Sequence, residues 1–254
     1  MPLMKLRFAT PSVIIDINAI SGLDYLKEEG GMLKIGALVR ESALESSPII
    51  AKKFPILADA AKVIADPLVR NRATIVGNLA HGDPANDHPA VMLALGAELV
   101  AAAGGGERVI SINDFFLDTL TTSLKEGEIL KEVRVPVPPA KSGGAYLKIE
   151  RKVGDFAIVA VAAQITLDDK GKIKSAGIGL TNVGNVPIKA TAAEAALVGK
   201  TPDEAAFAEA GKKAAEASRP ASDNRAPAEY KKSMVREYTI RALRLAVERA
   251  KGGK

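Results

Sequence analysis

The chain has 254 residues, 47% hydrophobic and 26% charged, the profile of a globular protein with room for one large or two modest domains. Zero cysteines exclude disulfides, thiolate zinc sites, cysteine nucleophiles and a self-held iron–sulfur cluster, so a redox role requires an organic cofactor or a partner. The net charge of +5 is scattered among 30 acidic residues, and an aromatic content of 4% is too low for single-strand stacking, which argues against nucleic acid.

The start, from Met1 to Arg7 into Phe8, has no sustained apolar core of a signal peptide. No apolar run approaches the roughly 20 residues of a membrane span, Val91 to Ala103 being interrupted by Glu98, so the expected location is cytoplasmic. Val13–Ile17 and Leu33–Leu38 read as strands, and Ile56–Ile64 reads as a helix that ends before Asp66-Pro67. Asp87 is expected to cap a helix with Pro89 in its first turn and Gly96 as its stop. Strands near Glu98–Ala102, Arg108–Ser111 and Ile129–Val137 follow, the first two separated by Gly104-Gly105-Gly106 and the last stopped by Pro138-Pro139. The stretch from Pro136 to Gly144 has the composition of a connector, which places a boundary there and divides the chain into 1–139 and 145–254. Beyond it, Ala145–Arg151, Ala157–Leu167 and Ile173–Thr181 read as strands, and Thr191–Val198, Pro202–Ala217 and Ala226–Ala250 as helices. The fold class is α+β throughout, with the second unit's helices on one face of a small antiparallel sheet. The basic segment from Lys231 to Lys251 carries an apolar stripe and reads as the solvated face of an amphipathic helix rather than a polyanion site.

Most motifs that suggest chemistry fail on their context. Gly199-Lys200-Thr201 resembles the end of a phosphate-binding P-loop, but Glu194 stands five residues before Gly199, where a carboxylate repels phosphate. Gly177-Ile178-Gly179 has Asn182 where a dinucleotide fingerprint needs its third glycine. His81 and His88 lie near Asp83 and Asp87 at a spacing that matches no familiar metal site, and no G-x-S-x-G nucleophile elbow occurs. One stretch remains: Arg70-Asn71-Arg72-Ala73-Thr74-Ile75-Val76-Gly77-Asn78-Leu79-Ala80, running into His81-Gly82-Asp83-Pro84-Ala85-Asn86-Asp87-His88-Pro89-Ala90. Small and hydroxylated residues around Gly77 admit an anion close to backbone N–H groups, and a helix N-terminus follows; a phosphate or a sugar suits it. Taken alone, the same residues also describe an ordinary glycine turn and a capped helix.

This stretch resembles the second flavin-contacting segment of the FAD-binding, or medium, subunits of the molybdenum hydroxylases, the family of carbon monoxide dehydrogenase and xanthine dehydrogenase. That family reads T-I-G-G-N followed by D-P-A-x-D, and Val76 departs from it at the first glycine. The resemblance continues in register through Pro2–Arg7, Lys34–Arg40, Gly127–Leu130, Tyr146–Ala157 and Arg225–Tyr230. It implies an FAD-binding domain of the PCMH (vanillyl-alcohol oxidase-like) type, followed by a C-terminal domain of the carbon monoxide dehydrogenase flavoprotein type. It also implies a flavoprotein subunit that takes electrons from an iron–sulfur small subunit and passes them to an external acceptor, while a molybdenum large subunit performs the hydroxylation.

Carried over by position, Thr74, Ile75, Val76, Gly77 and Asn78 line the FAD pyrophosphate, with Ala65 and Ala80 nearby. Asp87 hydrogen-bonds sugar or ribityl hydroxyls, Leu130 and Lys148 approach the isoalloxazine ring, and Phe156 stands beside it. A cation such as Lys148 near the ring would favour reduced, anionic flavin. Relative to the family the chain begins after an A-G-G-x-S loop that wraps the other side of the pyrophosphate, so weakened FAD binding is expected. Two alternatives stay open: a docking subunit that no longer binds flavin, and a stand-alone flavin reductase. The hydroxylated substrate is set in another subunit.

Overall fold

The structure, a computed structural model, describes residues 2–253. After a single helical turn, α1 (Pro2–Lys5), the chain runs without regular structure to β1 (Leu26–Glu29) and β2 (Met32–Gly36). Helices α2 (Glu41–Ser46), α3 (Pro48–Lys53), α4 (Pro55–Val63), α5 (Pro67–Arg70), α6 (Ile75–His81) and α7 (His88–Leu95) follow. Then come β3 (Glu98–Ala103), β4 (Gly106–Ser111), the short pair β5 (Phe116–Asp118) and β6 (Thr121–Thr122), and β7 (Ile129–Pro136). These build an antiparallel sheet in the order β1-β2-β7-β3-β4. The second sheet, antiparallel in the order β11-β10-β9-β8, comprises β8 (Ser142–Ile149), β9 (Val159–Leu167), β10 (Ile173–Thr181) and β11 (Ile188–Lys189). It is followed by α8 (Thr191–Leu197), α9 (Glu204–Ala217) and α10 (Ala228–Ala250).

The second sheet is covered on both faces. Alternation along β9 sends Val159, Val161, Ala163 and Ile165 into a core shared with α8, α9 and α10, while Ala160 and Ala162 face the first core. Residues this small let α4 and α7 lie close against the sheet. Gly177 and Gly179 of β10 extend the same logic: a Cβ at either would collide with the carbonyls of Ala94 and Ala90 on α7. These glycines therefore serve helix packing rather than a turn. On β8 the same period places Tyr146 and Lys148, two residues apart, on the face toward α4 and α7.

Two sequence expectations are corrected. Val13–Ile17 is not a strand; Val13, Ile14 and Ile15 are 70–80% exposed, and none pairs with another strand among the described residues. β propensity measures fit to a partnered, half-buried surface, and here no partner strand supplies one. Around Gly77, where the sequence suggests a glycine turn, residues Ile75–His81 form helix α6 with Thr74 as its N-cap.

Candidate functional site

Thr74 creates α6. Its backbone is extended, its Oγ accepts from the Gly77 N–H at 3.0 Å and its carbonyl from the Asn78 N–H at 2.9 Å. The N–H groups of Ile75 and Val76, at the first two helical positions, have no intrahelical acceptor. Gly82, left-handed at φ 67°, closes the helix after two turns. The start of α6 is fixed from behind: Arg40 bridges to Thr74, the Glu41 N–H donates to the Ala73 carbonyl at 3.0 Å, and α6 packs against β7. The side chains of Ile75 and Val76 are buried in the first core, whereas Gly77 is exposed. Val76 thus directs its bulk away from the helix entrance, and only Gly77 needs to be small on the outer side. Asn78 contributes one further group, a buried Oδ1 with no protein partner, while its main-chain carbonyl accepts from Asn86 Nδ2 at 2.7 Å.

Asp87 occupies the N-cap position of α7 but its side chain caps nothing, contrary to the sequence expectation. Its carboxylate turns instead to β8, where the Tyr146 hydroxyl donates to Oδ1 at 2.5 Å and Lys148 Nζ donates to Oδ2 at 3.1 Å. Proline in the first turn of α7 lowers the need for a cap, and two charged or acidic donors outcompete a single backbone N–H. Lys148, whose side chain is 2% exposed, also donates to the Val63 carbonyl at 3.0 Å and lies 3.3 Å from Glu150 Oε2. Burial pushes the Asp87 carboxyl up, opposed by the neighbouring Lys148 ammonium and the Tyr146 hydrogen bond; burial and the Asp87 charge push the Tyr146 hydroxyl well above its ordinary range. The trio is a buried brace joining α4, α7 and β8.

Ala65, two residues past the carbonyl that Lys148 holds, has a left-handed φ of 47°. Arg70 holds this turn by donating to the carbonyls of Ile64 at 3.0 Å and Ala65 at 3.3 Å, while Glu45 accepts from its Nε at 2.9 Å. Ala80 is half-buried on α6, and Leu130 is 5% exposed on β7, paired with Ala101. Phe156 is 41% exposed on the loop between β8 and β9. That loop returns to the site through Asn182, which donates to the Ala157 carbonyl at 2.6 Å and, through its own N–H, to the Pro84 carbonyl at 2.9 Å. Hydrogen bonds thus connect Val63–Ala65, Thr74–Asn78, Asn86–Asp87, Tyr146–Lys148 and the Phe156 loop into one region, while Leu130 lies in the first core.

Four contributors escaped sequence reading: Tyr146, Asn86, Arg70 and the buried pair Glu41–His88, in which His88 Nε2 lies 2.9 Å from both Glu41 oxygens. The capping role of Thr74 was also not read, although a threonine followed by a glycine eight positions on is a local signal that could have found it. Among the described residues no group of three or more His, Cys, Asp or Glu is arranged to hold a metal, and no helix is long and apolar enough to cross a membrane.

Residues 1–138 match the family described as the FAD binding domain in molybdopterin dehydrogenase, and residues 144–246 match the CO dehydrogenase flavoprotein C-terminal domain. The chain belongs to the FAD-binding medium subunits of the molybdenum hydroxylases. It is 42% identical over 250 residues to the carbon monoxide dehydrogenase medium chain of Afipia carboxidovorans, covering 98% of this chain and 85% of that one. The glyceraldehyde dehydrogenase medium chain of Sulfolobus acidocaldarius is 32% identical over 243 residues, covering 96% and 86%. Among solved structures, carbon monoxide dehydrogenase from Hydrogenophaga pseudoflava superposes with a TM-score of 0.94 at 45% identity, over 98% of this chain and 86% of that one. The α+β architecture, the oxidoreductase class and FAD as cofactor follow from membership of this family.

Proposed function

We propose that this subunit holds FAD across α6 and passes electrons from an iron–sulfur subunit to an external acceptor, in a complex whose large subunit carries molybdenum. The observation that carries the site assignment is the entrance of α6. The first-turn position of Ile75 and Val76, the bare Cα of the exposed Gly77 and the orphaned Asn78 Oδ1 support a diphosphate flanked by hydroxyl donors. When bound, FAD accepts and releases electrons singly or in pairs, which lets it link a one-electron cluster to a two-electron acceptor.

The chain's own residues then divide the labour. Ile75, Val76, Gly77 and Asn78 bind, and Thr74 keeps the helix entrance formed. Asp87, with both oxygens engaged by Tyr146 and Lys148, keeps α7 against β8 and retains one lone pair on each oxygen for a ligand hydroxyl. Lys148 places a buried positive charge beneath the region where the ring is assigned, and Phe156 covers one side of it. Having no cysteine, the chain depends on its partners for clusters and molybdenum.

Co-expression with the two other subunit types tests this assignment. The expected result is a three-subunit complex in which substrate reduces the flavin anaerobically, and in which isolated medium subunit shows no such reduction. A monomer that turns over an electron donor without partners would instead establish a stand-alone reductase.

A further inference from the structure

Phe156 is held from the second unit of the chain. The Arg225 guanidinium carbon lies 5.9 Å from the Phe156 ring centroid, and the same guanidinium donates to Asp155 Oδ1 at 3.1 Å. That oxygen also accepts from the Phe156 N–H at 2.9 Å, so one carboxylate ties the Phe156 backbone to the cation that faces its ring. Arg151 approaches the other oxygen at 3.4 Å. Arg225 is in turn fixed at its root. Asp223 Oδ1 accepts from the N–H groups of Arg225 at 2.9 Å and Ala226 at 3.0 Å, and Asp223 Oδ2 accepts from Lys231 of α10 at 2.7 Å, a lysine only 3% exposed. On its other side the loop is anchored by Gly154, where a Cβ would strike the Ala65 carbonyl. A half-exposed aromatic ring is thus backed by a chain of contacts running α10, Lys231, Asp223, Arg225, Asp155.

We propose that Arg225 is a positioning residue that holds the Phe156 ring in place over the flavin and thereby limits access of soluble acceptors to it. The inference rests on the assignment of Phe156 to the flavin made above. A cation facing an aromatic ring restricts how far the ring can swing, and its hydrogen bond to Asp155 restricts the loop that carries the ring. Neither constraint comes from the FAD-binding half of the chain. The cation that faces the ring is then set by the second unit, apart from the α6 entrance that provides affinity.

The test is quenching of flavin fluorescence by acrylamide in the FAD-loaded, partner-assembled protein; a neutral quencher is insensitive to the loss of a charge. Arg225→Gln is expected to raise the quenching constant about threefold, the scale of one exposed cation–aromatic contact. Arg225→Lys should stay nearer the parent, and Asp155→Asn, which frees Arg225 by another route, should match Arg225→Gln. Phe156→Ala should give the same rise, with no further increase in Phe156→Ala/Arg225→Gln. An unchanged melting temperature and FAD affinity in Arg225→Gln are expected, which a merely structural role would not leave intact. If Phe156→Ala raises quenching while Arg225→Gln and Asp155→Asn do not, the role of Arg225 is overturned and the placement of Phe156 stands. If Phe156→Ala itself leaves quenching unchanged, Phe156 is not beside the flavin and the inference falls with that assignment.

Discussion

The entrance of α6 and the brace around Asp87 are both polar and belong to one hydrogen-bonded region, yet they are finished to different degrees. Around Asp87 each carboxylate oxygen has its donor, and Lys148 has acceptors in the Val63 carbonyl of α4 and the Asp87 carboxylate, with Glu150 Oε2, which no hydrogen bond satisfies, 3.3 Å away. At α6 the buried Asn78 Oδ1 is left without a protein partner, beside an exposed glycine at the start of the helix. Buried polar groups are satisfied almost everywhere in a folded chain, so an unpartnered one on an exposed helix entrance is a place where a ligand can supply the missing bond. The brace therefore keeps the frame, and the entrance receives the ligand.

The largest expected effect comes from breaking the brace. Lys148→Met leaves Asp87 buried without its cation and should lower stability by about 3–5 kcal/mol, seen as a lower midpoint in chemical denaturation. Burial then raises the Asp87 carboxyl further. A raised folded pKa means the native state binds the proton more tightly, so the deficit should shrink as pH falls toward the ordinary value of 3.8 and grow above it. Lys148→Met/Asp87→Asn should recover much of the loss.

Breaking the entrance should instead cost affinity. Gly77→Val puts a side chain on the exposed face of the first turn, with its Cβ 3.1 Å from Thr74 Oγ. FAD binding should weaken by about 1.5–3 kcal/mol, or roughly 10- to 100-fold, by calorimetric titration, with little change in melting temperature. The neighbouring position sharpens the contrast. Val76→Gly restores the family's glycine, but Val76 is 4% exposed in the core, so the change should cost about 2 kcal/mol of stability without improving affinity. Thr74→Ala, which removes a cap, should cost about 1 kcal/mol.

The smallest effect lies in the second unit. Burial raises the Asp223 carboxyl, but Lys231 and the N–H groups of Ala226 and Arg225 outweigh it and hold it at about 2. Its contribution is present above the ordinary 3.8 and lost as pH falls through about 2. Because Asp223 is exposed, Asp223→Asn should cost no more than about 1 kcal/mol at pH 7, and nothing below pH 2, by denaturation at the two pH values.

What the sequence disclosed follows the range of the interactions involved. Local signals succeeded: Gly96 stops α7, Asp168–Gly171 turns β9 into β10, and the amphipathic run from Ala226 is α10. Long-range partnerships were not legible. Asp87 read as a cap because helix-start residues look alike whether the carboxylate bonds its own backbone or a tyrosine 59 residues away. Val13–Ile17 read as a strand because β-branched content does not disclose whether a partner strand is present. Val76 read as a departure from the family's motif because a motif records identity at a position and not the direction its side chain takes from a helix.

Titration of FAD into ¹⁵N-labelled protein, followed through assigned amide resonances, tests the α6 entrance directly and reports even weak binding. The largest shifts are expected at Ile75, Val76, Gly77 and the Asn78 side-chain amide, with the Lys148 amide moving less. Shifts concentrated elsewhere, with Ile75 to Asn78 unmoved at saturation, would contradict the account and place the cofactor on another surface.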